Sequence, residues 1–131
     1  IIGCLNNWVD GWIDWNMVLD RQGGPNLFKN WCVAPIIVDP DADEVYFTPI
    51  YYTLAHFSKY IRPGAQRIGV ESTDDKLQVT AAKNPDGSIA IVILNEGAQS
   101  KSFSISLDDK STEITINAQA IQTIILPTKN N

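Results

Sequence analysis

The chain has 131 residues, of which 44% are hydrophobic and 19% charged, the make-up of a folded globular chain rather than a disordered one. Fifteen acidic residues against ten basic give a net charge of -5, which leaves no basic face for nucleic acid or for an anionic membrane surface. No apolar run reaches the roughly 18 residues that a membrane-spanning helix needs.

Ile1, Leu5 and Trp8 fall at i, i+4 and i+7, the spacing of a helix end, and Asp10-Gly11 break it. The first residues lack a basic stretch, a small-residue cleavage site and an initiator Met. No signal peptide is read there, and the chain is expected to begin inside a longer protein. Gly11-Trp12-Ile13-Asp14-Trp15-Asn16 is short, aromatic and β-branched, and predicts a strand. A long connection follows, from about Met17 to Phe47, with turn chemistry at Gln22-Gly23-Gly24-Pro25-Asn26 and at Asp39-Pro40-Asp41. Two β-prone runs within it, Ile36-Ile37-Val38 and Val45-Tyr46-Phe47, suit a small hairpin. Connections of this length are uncommon in compact domains and are often functional.

Thr48-Pro49 predicts a helix start, with a hydroxyl at the N-cap and Pro at the first helical position, where its missing N–H costs nothing. Ile50, Leu54, Phe57 and Ile61 form one apolar stripe, and Arg62-Pro63-Gly64 ends the helix. Beyond it the period changes to two. Leu77, Val79 and Ala81 alternate with polar residues, as do Phe103, Ile105 and Leu107, and Ile114 and Ile116. Ile89 to Leu94 is apolar on both faces and reads as a central strand. Asn84-Pro85-Asp86-Gly87-Ser88 is a hairpin turn before it. Ile121 to Leu126 makes a last strand. Short strands at this spacing predict an antiparallel sandwich.

The chain therefore divides into residues 1–64, which read helix, strand, long loop, helix, and residues 65–131, which are all β. The first part has the look of one βα unit of an α/β barrel. Its helix stripe needs a surface to lie on, and one strand is not a sheet. At roughly 25 cal/mol per Å² of apolar surface, a wet stripe costs several kcal/mol. Missing barrel segments are expected to cover it, or the chain self-associates there.

Cys4 and Cys32 are too few for a disulfide framework or a metal set. Asp39, Asp41, Asp43 and Glu44 lack the spacing of a calcium loop and read as a solvated acidic turn. His56, the single histidine, reads as packed or hydrogen-bonded within the helix. No metal or cofactor is expected.

The stretch Gly11 to Asn16, then Leu19-Asp20, Gly23-Gly24-Pro25-Asn26, Ala34-Pro35-Ile36-Ile37-Val38-Asp39, Tyr46, Pro49, Tyr52, His56-Phe57-Ser58-Lys59 and Gly64-Ala65-Gln66-Arg67-Ile68-Gly69, resembles glycoside hydrolase family 30. It is similar to the glucosylceramidase branch in particular, around barrel strand 8. The match runs on weakly to Pro85-Asp86-Gly87-Ser88.

The resemblance implies the last βα unit of a (β/α)8 TIM barrel (strand 8, a long loop and the last helix) followed by a β-sandwich. It implies a retaining β-glucosidase acting on glucosylceramide or a related β-glucoside. The catalytic pair of Glu residues would sit at the ends of barrel strands 4 and 7, upstream of Ile1, so no catalytic residue is expected in this chain. Trp15 matches a substrate-wall tryptophan, where an indole stacks on the apolar face of a sugar. Asn30 matches an asparagine at the pocket rim. Asp14 is expected to support the pocket from behind, on the opposite side of a regular strand from Trp15. The resemblance also implies a secreted, periplasmic or lysosomal parent.

Two other classes compete with this reading. One is a glycan-binding or docking sandwich, which would show a row of exposed aromatics, whereas residues 66–131 contain Phe103 alone. The other is a purely structural sandwich that braces the barrel. Within the family, a xylan-cleaving branch is the alternative enzyme.

Overall fold

In the computed structural model, which describes residues 1–26, 29 and 31–127, eleven elements follow one another. Helix α1 spans Ile2–Asn6, strand β1 Val18–Asp20, β2 Ile36–Asp39, β3 Glu44–Phe47, and helix α2 Pro49–Ser58. Strands β4 (Gln66–Ile68), β5 (Leu77–Lys83), β6 (Ile89–Asn95), β7 (Lys101–Leu107), β8 (Lys110–Ile116) and β9 (Ala120–Leu126) complete the chain.

The β half is built on a four-stranded sheet of order β4-β5-β6-β9, every neighbour antiparallel. The hairpin β7–β8 packs against one face of it. Leu77, Ala81, Ile91, Ile93 and Ile116 form the buried core, with Val79, Phe103, Ile105 and Ile124 packed around them. These are the alternating positions of the sequence, and each fully buried aliphatic side chain contributes about 1.5–3 kcal/mol. Strand β6 lies centrally between β5 and β9, which explains its double-sided apolar run. The turn before it closes through Asn84 N–H to the Ser88 carbonyl at 2.8 Å, with Gly87 at φ 84°.

The opposite face of the sheet is also buried, at Thr80, Ala82, Ala90 and Val92. Here the two helices dock. Asn6 Nδ2 of α1 donates to the Val79 carbonyl at 2.8 Å. His56 Nδ1 of α2 lies 2.8 Å from Thr123 Oγ1 of β9, and that hydroxyl also reaches the His56 carbonyl at 3.3 Å. Below the end of α2, Asn84, 6% exposed, accepts the Arg62 N–H at 3.0 Å and donates to the Tyr60 carbonyl at 3.0 Å. A fourth tie joins Trp8 to β4, where the Arg67 guanidinium stands 4.3 Å over the indole ring.

Trp8 also closes α1. Val9 N–H reaches the Cys4 carbonyl at 3.1 Å and Trp8 N–H reaches Leu5 at 3.3 Å, with Trp8 at φ 66°. This is the 6→1 and 5→2 pairing of a Schellman cap, in which Gly is the usual left-handed residue. A tryptophan there costs about 1 kcal/mol of backbone strain, offset by the contact of its ring with Arg67.

Several expectations need correcting. Gly11 to Asn16 is not a strand: no ladder pairs it among the described residues, and the strand begins two residues later, at Val18. A strand is completed by its neighbours' N–H and C=O groups, and the described residues offer none at 11–16. Strand β1 instead pairs in parallel with β2, Val18 with Ile36 through Asp20 with Val38. The hairpin partner β3 then pairs antiparallel with β2. Thr48 has the extended backbone of an N-cap and Pro49 follows, but its hydroxyl makes no cap bond. It turns instead to the carbonyls of Ala34 and Pro35, at 3.0 and 3.1 Å, the second of which also accepts the Thr48 backbone N–H at 2.9 Å.

The acidic turn is not wholly solvated. Asp39 is 3% exposed; its Oδ2 accepts from Arg21 at 2.8 Å and its Oδ1 from the backbone of Asp41 and Ala42. The α2 stripe of Ile50, Leu54, Phe57 and Ile61 is half-buried, and no residue of α2 is fully buried.

Candidate substrate-binding surface

The segment between α1 and β1 carries a concentration of exposed apolar side chains. Trp15 is 69% exposed and Ile13 95%, and Trp12, Met17 and Val18 are exposed with them. Asp14 is tied to the backbone of its neighbour. Its Oδ1 accepts the Trp15 backbone N–H at 2.8 Å, so the carboxylate fixes the local path of the chain that presents the indole. Asn30, the third site residue expected from sequence, lies outside the described residues.

After β1 the chain reverses over Asp20. The Asp20 carboxylate accepts N–H groups from Gln22 at 2.9 Å and Gly24 at 2.8 Å, while its own backbone N–H donates to the Gly24 carbonyl at 2.8 Å. This is an Asx-type turn. Gly23 is held to glycine by neighbouring backbone, and Gly24 faces the end of the Asp20 side chain. A Cβ on Gly24 would stand 2.9 Å from Asp20 Oδ2, and one on Gly23, at φ 72°, would stand 2.6 Å from both N and O of Cys32. The Gly23-Gly24 turn thus lets the backbone at Trp31–Cys32 lie directly on it. Trp31 emerges there 70% exposed.

Two polar pairs lie around this turn. Arg21 is neutralised by Asp39. The Tyr46 hydroxyl donates to the Glu44 carboxylate, which holds the phenol above its ordinary pKa. Cys4 and Cys32 are free thiols. Among the described residues no group of three His, Cys, Asp or Glu side chains is arranged to hold a metal ion. Among the described residues no helix is long and apolar enough to cross a membrane.

Sequence reasoning missed Asp20, Arg21 and Trp31 as site builders. Asp20 was legible in principle, since an Asp before a Gly-Gly pair signals an Asx turn. The Arg21–Asp39 pair, 18 residues apart, carries no local signal.

Residues 1–61 match the glycosyl hydrolase family 30 TIM-barrel domain, and residues 64–124 match the glycosyl hydrolase family 30 beta sandwich domain. The chain is 44% identical to the lysosomal acid glucosylceramidase of Mus musculus over 77% of its own length and 20% of that protein's. The crystal structure of SrfJ from Salmonella typhimurium superposes with a TM-score of 0.94 at 32% identity, covering 98% of this chain and 29% of that one. The endo-beta1,6-glucanase BT3312 superposes with a TM-score of 0.88 at 28% identity, again covering 98% of this chain and 29% of the other. The chain therefore spans between a fifth and under a third of the proteins it matches. With two adjoining domains of one family matched in order, and with the fold shared almost end to end, the chain belongs to glycosyl hydrolase family 30, of which it carries the C-terminal part of the TIM barrel and the β-sandwich.

Proposed function

We propose that the full-length gene product is a retaining glycoside hydrolase that cleaves the β-glucosidic bond of glucosylceramide or a closely related β-glucoside. The observation that carries this reading is the 44% identity to a lysosomal acid glucosylceramidase across three quarters of the chain. Retaining chemistry uses two carboxyl groups roughly 5–5.5 Å apart across the scissile bond. In our reading both come from the rest of the barrel, with none from these 131 residues.

This chain supplies the wall and the brace. Trp15 stacks on the apolar face of the glucosyl ring, Asn30 bonds its hydroxyls at the rim, and Asp14 holds the Trp15 backbone. The domain boundary falls at residue 64, and the sandwich, residues 65–131, supports the last barrel helix through the His56, Tyr60 and Arg62 ties. Its aromatic-poor surface favours that bracing role over glycan capture.

A second reading, cleavage of a β-1,6-glucan, is favoured by the 28% identical glucanase structure. Incubating the purified full-length product with glucosylceramide, an aryl β-glucoside, a β-1,6-glucan and xylan decides between them. Release of glucose from the first two is expected. Cleavage of the glucan alone would favour the second reading, and cleavage of xylan alone would overturn both. The 131 residues by themselves are expected to turn over no glycoside.

A further inference from the structure

Arg67 of β4 is a cation without a counter-ion. Its guanidinium stands 4.3 Å over the Trp8 indole, and its Nε is sealed from solvent with no hydrogen-bond partner. None of the ion pairs among the described residues includes it. Its two terminal nitrogens are not sealed and have no partner among the described residues either. We propose that the Trp8–Arg67 face docks an acidic segment of the rest of the barrel, one of whose Asp or Glu side chains closes on the Arg67 guanidinium.

The first argument is apolar. Trp8 is 79% exposed, Val9 41% and Trp12 47%, a local run of large side chains of the kind that marks an interaction surface. These residues lie in the part of the chain that matches the barrel domain, so the body that lies against them is the remainder of that barrel. The guanidinium is already placed for it: Arg67 pairs with Ala82 in the β4–β5 ladder, and the indole holds its far end.

The second argument is electrostatic. A segment that covers Trp8 also takes water from the terminal N–H groups of Arg67. A guanidinium does not lose its proton in a protein, so it cannot become neutral to escape the cost. A buried charge left single is strongly destabilising, and an indole face replaces only part of the lost hydration. A main-chain carbonyl would accept an N–H and leave the charge in place. A carboxylate accepts two N–H groups in a fork and cancels it. Asp10 and Glu71, the acids nearest in sequence to Trp8 and Arg67, are exposed and belong to no ion pair among the described residues, so the acid is to come with the cover.

The test uses the full-length product carrying Arg67→Lys, which keeps the charge and supplies an amine. A zero-length carbodiimide condenses that amine with a touching carboxylate into an amide, with loss of water, and peptide mass spectrometry identifies the acid. The expected product links position 67 to an Asp or Glu outside these 131 residues, within one molecule, and is absent in Arg67→Gln. A link to Asp10, Glu71 or any other acid of these residues, a link between two copies, or no link overturns the proposal. Replacing the identified acid by its amide together with Arg67→Met should give a melting temperature above both single changes, because removing a pair costs less than stranding one charge. A double variant that melts at or below either single contradicts it. Where Arg67→Lys does not fold, the unaltered protein decides. Phenylglyoxal is expected to modify Arg67 at least about tenfold more slowly than free acetylarginine amide in the same solution, the carboxylate occupying both terminal nitrogens; equal rates overturn the docking. The inference rests on the family assignment and not on the substrate, so neither result touches the function proposed above.

Discussion

His56 and Thr123 hold each other at two points: the imidazole Nδ1 lies 2.8 Å from the threonine hydroxyl, and that hydroxyl reaches back to the His56 carbonyl at 3.3 Å. One residue belongs to the last barrel helix and the other to the last strand of the sandwich, 67 positions apart. Thr123→Val keeps the β-branched shape and removes both contacts. It is expected to lower stability by about 1–2 kcal/mol, read from the urea midpoint at unchanged slope. A change within the error of the wild-type curve would show that the pair does not tie the two halves together.

Burial holds the His56 imidazole below its ordinary pKa. The folded protein thus favours the neutral ring over the imidazolium. The resulting stability is fully present above the unfolded value of about 6.5, and is lost as pH falls through the lower folded pKa. His56→Gln is expected to flatten this acid limb. The single imidazole makes the check direct, because one NMR titration should report a midpoint below that of a free histidine. A midpoint at or above it refutes the sign.

Asn84 is expected to be the most sensitive polar position of the sandwich. Its side chain serves the Tyr60 carbonyl, the Arg62 N–H and the Ser88 hydroxyl. Asn84→Ala leaves buried backbone groups without partners, at a cost of about 2–4 kcal/mol. Asn84→Asp keeps the acceptor for Arg62 N–H but loses both donors, so it should fall between Ala and wild type in thermal unfolding. Equal melting temperatures for all three proteins would refute this.

Much of the fold was legible in the sequence because local periodicity reports it. Leu77-Val79-Ala81 and the double-sided Ile89–Leu94 run identify strands β5 and β6 and their hairpin, and Ile36–Val38 with Val45–Phe47 identify the β2–β3 pair. The failures have one cause. Gly11–Asn16 has strand composition, but a strand also needs partners, and none pairs with it among the described residues. Thr48 looked like a side-chain cap because sequence does not reveal that the Ala34 and Pro35 carbonyls compete for its hydroxyl. The burial of Thr80 and Ala82 and the roles of Asn84 and Thr123 arise from helices docking across the sheet, a long-range event with no local signature. Of the site, Trp15 and Asn30 came from resemblance and Asp14 from strand alternation, whereas the Asp20 turn came from geometry.

Two left-handed glycines should respond differently to the same substitution. At Gly64, φ 84°, an added Cβ meets only the Pro85 ring at 3.4 Å, so Gly64→Ala should cost about 1 kcal/mol of backbone strain. At Gly23 the Cβ would enter the Cys32 backbone at 2.6 Å. Gly23→Ala should therefore cost more than about 3 kcal/mol and displace Trp31. Paired melting curves of the two variants check the order, and equal losses would contradict it.

For activity, Trp15→Ala in the full-length enzyme is expected to lower kcat/KM on an aryl β-glucoside by about 10–100-fold, equivalent to about 1.4–2.7 kcal/mol. Asp14→Asn retains an acceptor for the Trp15 N–H and should stay within about threefold, whereas Asp14→Ala should lose more. Unchanged kinetics for Trp15→Ala would remove that residue from the pocket wall.

The ties across the sheet bear on how such enzymes can be recombined. A chimaera spliced at Gly64, where the polypeptide looks most divisible, would transplant a sandwich whose residues at 67, 84 and 123 were matched to another enzyme's Trp8, Tyr60, Arg62 and His56. The natural crossover point is not that bend. A graft that is to retain a working barrel has to carry α1 and α2 along with the sandwich, as one inherited block.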